Sequence, residues 1–370
     1  MKNNNIFIND TEYSSRKVFI IAELGTACGA DMVRAGELIA AAAEAGADCI
    51  KFQMVYAHEI LHPNTGEVSL PGGRIRLYDR FKELQAPLSF YQGLKEKVES
   101  LGLVFLCTPF GLQSARELRT LAPLCIKIAS PELNYTALLQ EVASYKLPVF
   151  LSSGVSTLGD IEAALALAAR EETQVCLLHC VTAYPAPETD YNLRLLGNLN
   201  AIFGVPVGLS DHSLDPDLVP ALAVAMGAAA IEKHLCLSRN DSGLDDPVAL
   251  PPDAFAQMVA AVRQAEKRSP EETLAEMSRQ RGQLLVESVL GDGIKRLAPS
   301  EAANYQRTNR SIHALRDISA GEIIEQDMIA CLRTEKNLRP GLPPSWEKFL
   351  PGRRAACFIP AGEGIRMEDI

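Results

Sequence analysis

The chain has 370 residues, 47% of them hydrophobic, and a formal net charge of −10. This length fits one large domain plus a smaller one, and the acidic balance excludes nucleic acid as the main partner, because a surface that tracks phosphates is basic. The nine cysteines include no CxxC pair, and most lie in or beside apolar runs (Cys49, Cys107, Cys125, Cys176, Cys236), which describes buried thiols of a reducing compartment rather than a disulfide framework or a zinc knuckle.

In chain order, Met1–Asp10 is polar and lacks the apolar core of a signal peptide. Residues 1–16, with Ile6-Phe7-Ile8, read as a strand or small hairpin capping the bottom of the large domain. Eight short apolar runs come next: Val18–Ala22, Cys49–Ile50, Leu103–Cys107, Leu124–Ile128, Pro148–Leu151, Val175–Leu178, Val205–Leu209 and Ala228–Ile231. Each gives way to polar residues: Glu23; Lys51 and Gln53; Thr108; Lys127, Ser130 and Glu132; Ser152-Ser153; His179; Ser210-Asp211-His212; Glu232-Lys233-His234. Alanine-rich stretches of helical spacing separate the runs. The first has Asp31 as N-cap and Gly46 as C-terminal stop. Eight strand–helix repeats with polar strand ends predict a (β/α)8 barrel, its site at the C-terminal face.

Two irregular stretches fall over that face: residues 57–80, with Pro63, Gly66, Pro71, Gly72 and Gly73, a candidate lid, and Leu237–Pro252, rich in Asp and Pro. Leu218–Ala230 is the nearest approach to a membrane span, but Pro220 and Gly227 interrupt it; a soluble cytoplasmic protein is expected. Helices follow at about Asp253–Lys267 and Glu271–Gln283, closing a barrel domain of 1–285. Residues 286–308 read as a linker. Residues 309–370 read as a small β domain with candidate strands Ser311–Ala314, Glu322–Ile324, Met328–Leu332 and Ala355–Ile359. Asp317–Glu322 resembles Phe358–Glu363, an internal repeat that points to a β-clip.

His212 and His234 end adjacent strands, which lie about 5 Å apart; they can share a divalent metal, with Glu23 beside them, or can simply pack and bond carbonyls. Lys51 and Lys127, with Thr108, Ser130, Ser152 and Ser210, form either a cup for phosphate and carboxylate or a rim of solvated lysines paired to Glu23 or Glu132. Glu132 and Asp245 are inward carboxylates suited to general base work or to hydrogen-bonding a sugar hydroxyl, or else plain surface groups. Tyr184 stacks on a substrate or closes its loop. Cys107 and Cys180, without a dedicated base, read as core thiols.

Taken together these residues resemble the sialic acid synthase (nonulosonate synthase) family. The likeness rests on Ile21-Ala22-Glu23-Leu24-Gly25, Lys51-Phe52-Gln53, Cys107-Thr108-Pro109-Phe110, Lys127–Glu132, Ser152-Ser153-Gly154, Leu178-His179-Cys180, Gly208–His212 and Glu232-Lys233-His234, in that order. Gly243-Leu244-Asp245 stands where the family has Gly-Pro-Asp, and the C-terminal piece resembles the family's SAF (antifreeze-like) domain. The resemblance implies condensation of phosphoenolpyruvate with an N-acetylated amino sugar to a nine-carbon α-keto acid. It implies that Lys51, Gln53, Thr108, Lys127, Ser130, Ser152 and Ser210 hold phosphoenolpyruvate, and that His212 and His234 bind Mn²⁺ or Mg²⁺. It places Glu132, Tyr184 and Asp245 on the sugar and Glu23 near the metal, with Glu23, Lys51, Lys127, Glu132 and Asp245 as the catalytic set. It also implies a domain-swapped homodimer in which an arginine of the small domain, Arg333 or Arg339, reaches the sugar's acyl group. Two departures fall on the sugar side: Thr26-Ala27-Cys28-Gly29 replaces the family's Asn-His-glycine pattern, and Thr182 stands where Asn is common. A rival within enzymes is a synthase acting on a phosphorylated sugar, for which Arg74, Arg76 and Arg80 in the lid supply cations. A rival of another class is a non-catalytic sugar-binding protein.

Overall fold

In a computed structural model, which describes residues 4–70 and 73–370, the eight apolar runs become eight parallel strands. They are β1 (Phe19–Glu23), β2 (Cys49–Met54), β3 (Val104–Pro109), β4 (Ile126–Ile128), β5 (Val149–Ser152), β6 (Val175–Cys180), β7 (Val207–Asp211) and β8 (Ala230–His234). The ladder runs β3-β2-β1-β8-β7-β6-β5-β4, and β3 packs on β4 to close the barrel. Between successive strands lie α1 (Met32–Glu44), α2 (Leu88–Ser100), α3 (Leu112–Thr120), α4 (Thr136–Ala143), α5 (Leu158–Arg170), α6 (Leu195–Phe203) and α7 (Leu218–Ala225); α8 (Pro252–Ala265) follows β8. Most strands reach further toward the C-terminus than the apolar runs. The terminal polar residues still pair in the ladder, because the barrel interior gives their side chains partners.

The two-residue period sorts those side chains. On β1, Phe19 and Ile21 join the inner apolar cluster, and Glu23, next on the same face, is buried above them. On β8, Glu232 and His234 share the inner face, whereas Lys233 points out and is buried against Asp211 at 2.6 Å. The lower barrel is therefore apolar and the upper barrel polar. Residues 1–16 close the bottom as expected: the hairpin Ile6–Ile8 with Thr11–Tyr13 places Ile6, Ile8 and Tyr13 in the same inner cluster. The first three residues of that cap, Met1–Asn3, lie outside the described residues, as do Pro71 and Gly72 of the lid.

Asp31 caps α1 as predicted, accepting from Val33 and Arg34 backbone N–H groups, and Gly46 (φ 91°) makes the turn into β2 in a conformation that favours glycine. The lid holds a short helix, Ala57–Ile60, a hairpin of Glu67–Leu70 with Gly73–Arg76, and a helix, Leu77–Glu83. After α8 come α9 (Pro270–Arg281) and α10 (Gln283–Leu290). The boundary expected at 285 thus falls inside a helix. Val286, Val289 and Leu290 are buried, and Leu193 N–H donates to the Val289 carbonyl at 3.1 Å, so the first part of the expected linker belongs to the barrel.

In the small domain, β9 (Arg310–Ala314) and β10 (Ile329–Arg333) pair antiparallel. The other two expected strands shrink to single bridges, Ile323 with Arg354 and Ile318 with Ile359. The second bridge joins the two copies of the repeat to each other: each isoleucine N–H donates to the other's carbonyl at 2.9 Å. Eight of the nine cysteines are buried free thiols, and Cys357 is exposed.

Candidate active site

A cavity of about 300 Å³ opens at the C-terminal ends of the strands. Its floor is the cationic cup. Lys51 Nζ lies 3.1 Å from Glu23 Oε2 and 3.1 Å from Glu232 Oε1. Lys127 Nζ donates to Ser152 Oγ at 2.6 Å and to the Ile128 carbonyl at 3.0 Å, with Glu232 Oε1 at 3.8 Å. Ser210 donates to the same Glu232 oxygen at 3.0 Å, and Gln53 donates to Glu23 Oε1 at 2.5 Å. Glu232, which the sequence reading leaves out of the site, is therefore the counter-charge to both lysines, and its Oε2 is buried without a hydrogen-bond partner among the described residues. The signal for it is present in the sequence: it shares the inner face of β8 with His234.

The electrostatics follow from burial. Burial works against charge on Glu232, but Lys127 and Lys51 outweigh it and hold the carboxyl at about 2. Burial pushes Lys127 down to about 8, with Glu232 opposing. Burial also lowers Lys51, but Glu23 and Glu232 overcome it, and the net shift is upward. The Glu23 carboxyl rises to about 7 through burial, against the pull of Lys51. Two buried ammonium groups facing one ionised carboxylate, Glu232, and one whose charge burial disfavours, Glu23, are poised for an anion that brings its own negative charge. Thr108 is buried beside this floor but outside the cavity lining, and its hydroxyl has no partner among the described residues.

One side of the cavity carries the histidines, their rings 5.5 Å apart between centroids. His212 Nδ1 lies 2.8 Å from the Val181 carbonyl, which assigns that nitrogen the proton and directs Nε2 to an incoming ligand. Burial lowers His212, but the adjacent Cys180 sulfur offsets it and the net shift is upward; a cation at Nε2 would take the place of the second proton. Burial holds the His234 imidazole neutral, well below its ordinary value. Asp245 lines the same wall, its Oδ2 3.4 Å from Thr26 Oγ1. Two imidazoles and a nearby carboxylate form a nitrogen–oxygen donor set that fits a divalent ion of the Mn²⁺ or Mg²⁺ kind. No group of three or more His, Cys, Asp or Glu side chains converges as a complete protein shell among the described residues, so water or substrate would fill the remaining positions. Tyr184 lies over His212, ring centroids 4.2 Å apart, covering the histidine pair. Cys180, read as a core thiol, is buried 3.8 Å from His212 Nδ1.

The outer wall corrects the sequence reading at three points. Glu132 does not face the cavity. β4 ends at Ile128 and a 3-10 turn (Ser130–Glu132) swings Glu132 toward the small domain, where its buried carboxylate takes two guanidinium groups, Arg310 Nη2 at 2.8 Å and Arg333 Nη2 at 2.8 Å. Arg310, unrecognised in the sequence, is wholly buried; it donates to the Phe110 carbonyl at 2.6 Å and lies over the Tyr135 ring. Arg333 lines the cavity beside Phe110, but Arg339 does not: it sits past the end of β10 and pairs with Asp369 at 2.5 Å in a separate hollow of the small domain. The lid arginines stay outside as well. Arg74, Arg76 and Arg80 pair with Glu67, Asp79 and Glu83, and the lid presents Leu77 and Phe81 to the cavity.

The altered loop after β1 is tied in by Thr26, which lines the cavity and whose Oγ1 accepts from Leu244 N–H at 2.8 Å. Thr308 and Glu335 are lining residues that the sequence reading does not single out.

Comparison with known proteins agrees with this geometry. Residues 38–273 match the NeuB family model and residues 309–370 the SAF domain. The crystal structure of spore coat polysaccharide biosynthesis protein SpsE from Bacillus subtilis superimposes with a TM-score of 0.82 at 32% identity, covering 99% of each chain. Pseudaminic acid synthase of Campylobacter jejuni is 32% identical over 364 residues, 96% of this chain and 97% of the relative. N,N'-diacetyllegionaminic acid synthase of Legionella pneumophila is 32% identical over 369 residues, 96% of each.

Proposed function

The chain belongs to the NeuB family, and we propose that it is a nonulosonate synthase, condensing phosphoenolpyruvate with an unphosphorylated N-acetylated amino sugar. The observation that carries this reading is the floor of the cavity: two buried lysines and three serines beside a histidine pair. Lys51 and Lys127 hold the phosphate and carboxylate of phosphoenolpyruvate, with Ser130, Ser152 and Ser210 around them, and Gln53 and Thr108 at the edge. His212 and His234 would hold a divalent ion, and such an ion would supply Lewis-acid polarisation of the open-chain sugar aldehyde. C3 of the enol then forms a bond to the aldehyde carbon, whose oxygen takes up a proton. Water adds to the cationic C2, and the C2–O bond breaks as inorganic phosphate leaves with that electron pair. The lysines offset the anionic charge throughout. Asp245, its carboxyl raised by burial, and Tyr184 border the sugar, and Arg333 faces its acyl group.

A phosphorylated acceptor finds little support, because each lid arginine is already paired outside the cavity. A silent sugar-binding role leaves the lysine cup without a purpose. The proposal includes a homodimer that exchanges small domains. In the single chain, Arg310 meets Glu132 of its own barrel, and in an exchanged pair the same contact joins two subunits. No helix of the described residues is long and apolar enough to cross a membrane.

The deciding experiment incubates the protein with phosphoenolpyruvate, Mn²⁺ and a panel of hexosamines: N-acetylmannosamine, 2,4-diacetamido hexoses, and their phosphate esters. Phosphate release with an unphosphorylated member alone supports the reading; release only with a phosphate ester, or with none, sinks it.

A further inference from the structure

The segment between the two domains does more than connect them. Glu301, 1% exposed, places one carboxylate oxygen against two backbone donors from different barrel loops. Val155 N–H donates to Oε2 at 2.9 Å, and Thr182 N–H donates to the same oxygen at 2.8 Å. Asn309 takes the other side of the first loop, its Nδ2 donating to the Val155 carbonyl at 3.1 Å. Both polar groups of Val155 are thus held by residues about 150 positions further along the chain.

Val155 needs holding. It is β-branched, fully buried, and has φ +44°, a region such residues avoid. The turn it belongs to follows β5 and shapes the anion cup. Gly154 N–H donates to Ser130 Oγ at 3.0 Å, and a Cβ added to Gly154 would lie 2.1 Å from Thr182 Oγ1 and 3.0 Å from Ser130 Oγ. A relaxed Val155 would move this turn away from the serines that border the cup.

We propose that Glu301, with Asn309, is a positioning residue for phosphoenolpyruvate binding: it holds the Ser153-Gly154-Val155 turn in its strained form so that Ser130 and Ser152 present their hydroxyls to the anion. The proposal rests on the reading of the cup as the phosphoenolpyruvate site. Asn309 adjoins Arg310, so the shape of the cup and the seat of the small domain depend on one stretch of chain.

Calorimetric titration of phosphoenolpyruvate into the full-length, Mn²⁺-loaded protein tests this without turnover. E301A is expected to weaken binding at least tenfold. Glycine adopts positive φ freely, so in the V155G background the same E301A change is expected to cost less than threefold, a rescue that general destabilisation cannot produce. An E301A loss below threefold, or an equal loss in both backgrounds, overturns the proposal. If E301A does not fold, E301Q replaces it in both backgrounds, with at least a threefold loss expected for the native Val155 and none with V155G. Failure of the wild-type protein to bind phosphoenolpyruvate overturns the reading of the cup, and with it the proposal.

Discussion

The floor and the rim of the cavity are built in opposite ways. The floor comes from strand ends: Lys51, Lys127, Ser152, Ser210 and Glu232 project from neighbouring strands whose ladder fixes their spacing. The rim comes from segments distant in sequence, with Glu132 held by Arg310 and Arg333 of the small domain and Thr26, in the loop after β1, tied to Leu244, in the loop after the neighbouring β8. The ladder sets the spacing of the charges on the floor, while the Glu132 part of the rim depends on the small domain being seated. On the proposed function, the chemistry falls to the strand-built part of the molecule and acceptor recognition to the rim.

Lys127→Ala tests the floor and carries the largest expected effect. Removing a buried cation from developing charge should lower kcat/KM for phosphoenolpyruvate by about 10³-fold; a loss under tenfold in steady-state kinetics would contradict this assignment. Arg310→Ala tests the rim. It leaves Glu132 with Arg333 alone, and breaking a buried pair from one side costs about 3 kcal/mol. The single tryptophan, Trp346, lies in the small domain and reports its unfolding in denaturant. The Arg310→Ala and Glu132→Ala losses should be strongly sub-additive, and additivity would show that the contact is not formed.

The two candidate arginines differ in place, one in the cavity wall and one outside it. Arg333→Ala should raise KM for the sugar about tenfold, with KM for phosphoenolpyruvate unchanged, since Arg333 lines the cavity. Arg339→Ala should leave both within about twofold, because a partly exposed ion pair contributes only about 0–1 kcal/mol. Equal effects would mean that the small domain seats differently. A graded effect is expected from pH. Lys127, lowered by burial to about 8, binds an anion in its charged form, so KM for phosphoenolpyruvate should rise as pH climbs past about 8, by at most tenfold per pH unit. Lys127→Arg should remove that limb.

How far the sequence can be read follows the same division. The barrel is legible because a run of apolar residues ending in a polar one marks a buried strand and its mouth, and Lys51, Lys127, His212 and His234 can be placed from that alone. Glu232 is visible by two-residue alternation, yet Glu-Lys-His also reads as a solvated strand end, which hides it. Glu132 is misplaced by sequence reasoning and the choice between Arg333 and Arg339 stays open there, since their surroundings depend on a 3-10 turn and on chain folded back from the small domain. Arg310 and Glu301 give no local signal. A buried arginine and a buried glutamate in polar stretches acquire these partners only when segments 119 to 200 residues apart meet, and no periodicity encodes that meeting.

The most direct test of the central claim is mass spectrometry of the products formed from phosphoenolpyruvate carrying ¹⁸O in its bridging C–O–P oxygen, with Mn²⁺ and the acceptor that releases phosphate. The expected products are a nine-carbon α-keto acid free of the label and inorganic phosphate that contains it. Label retained in the keto acid, or phosphate released without a condensed product, would contradict that claim.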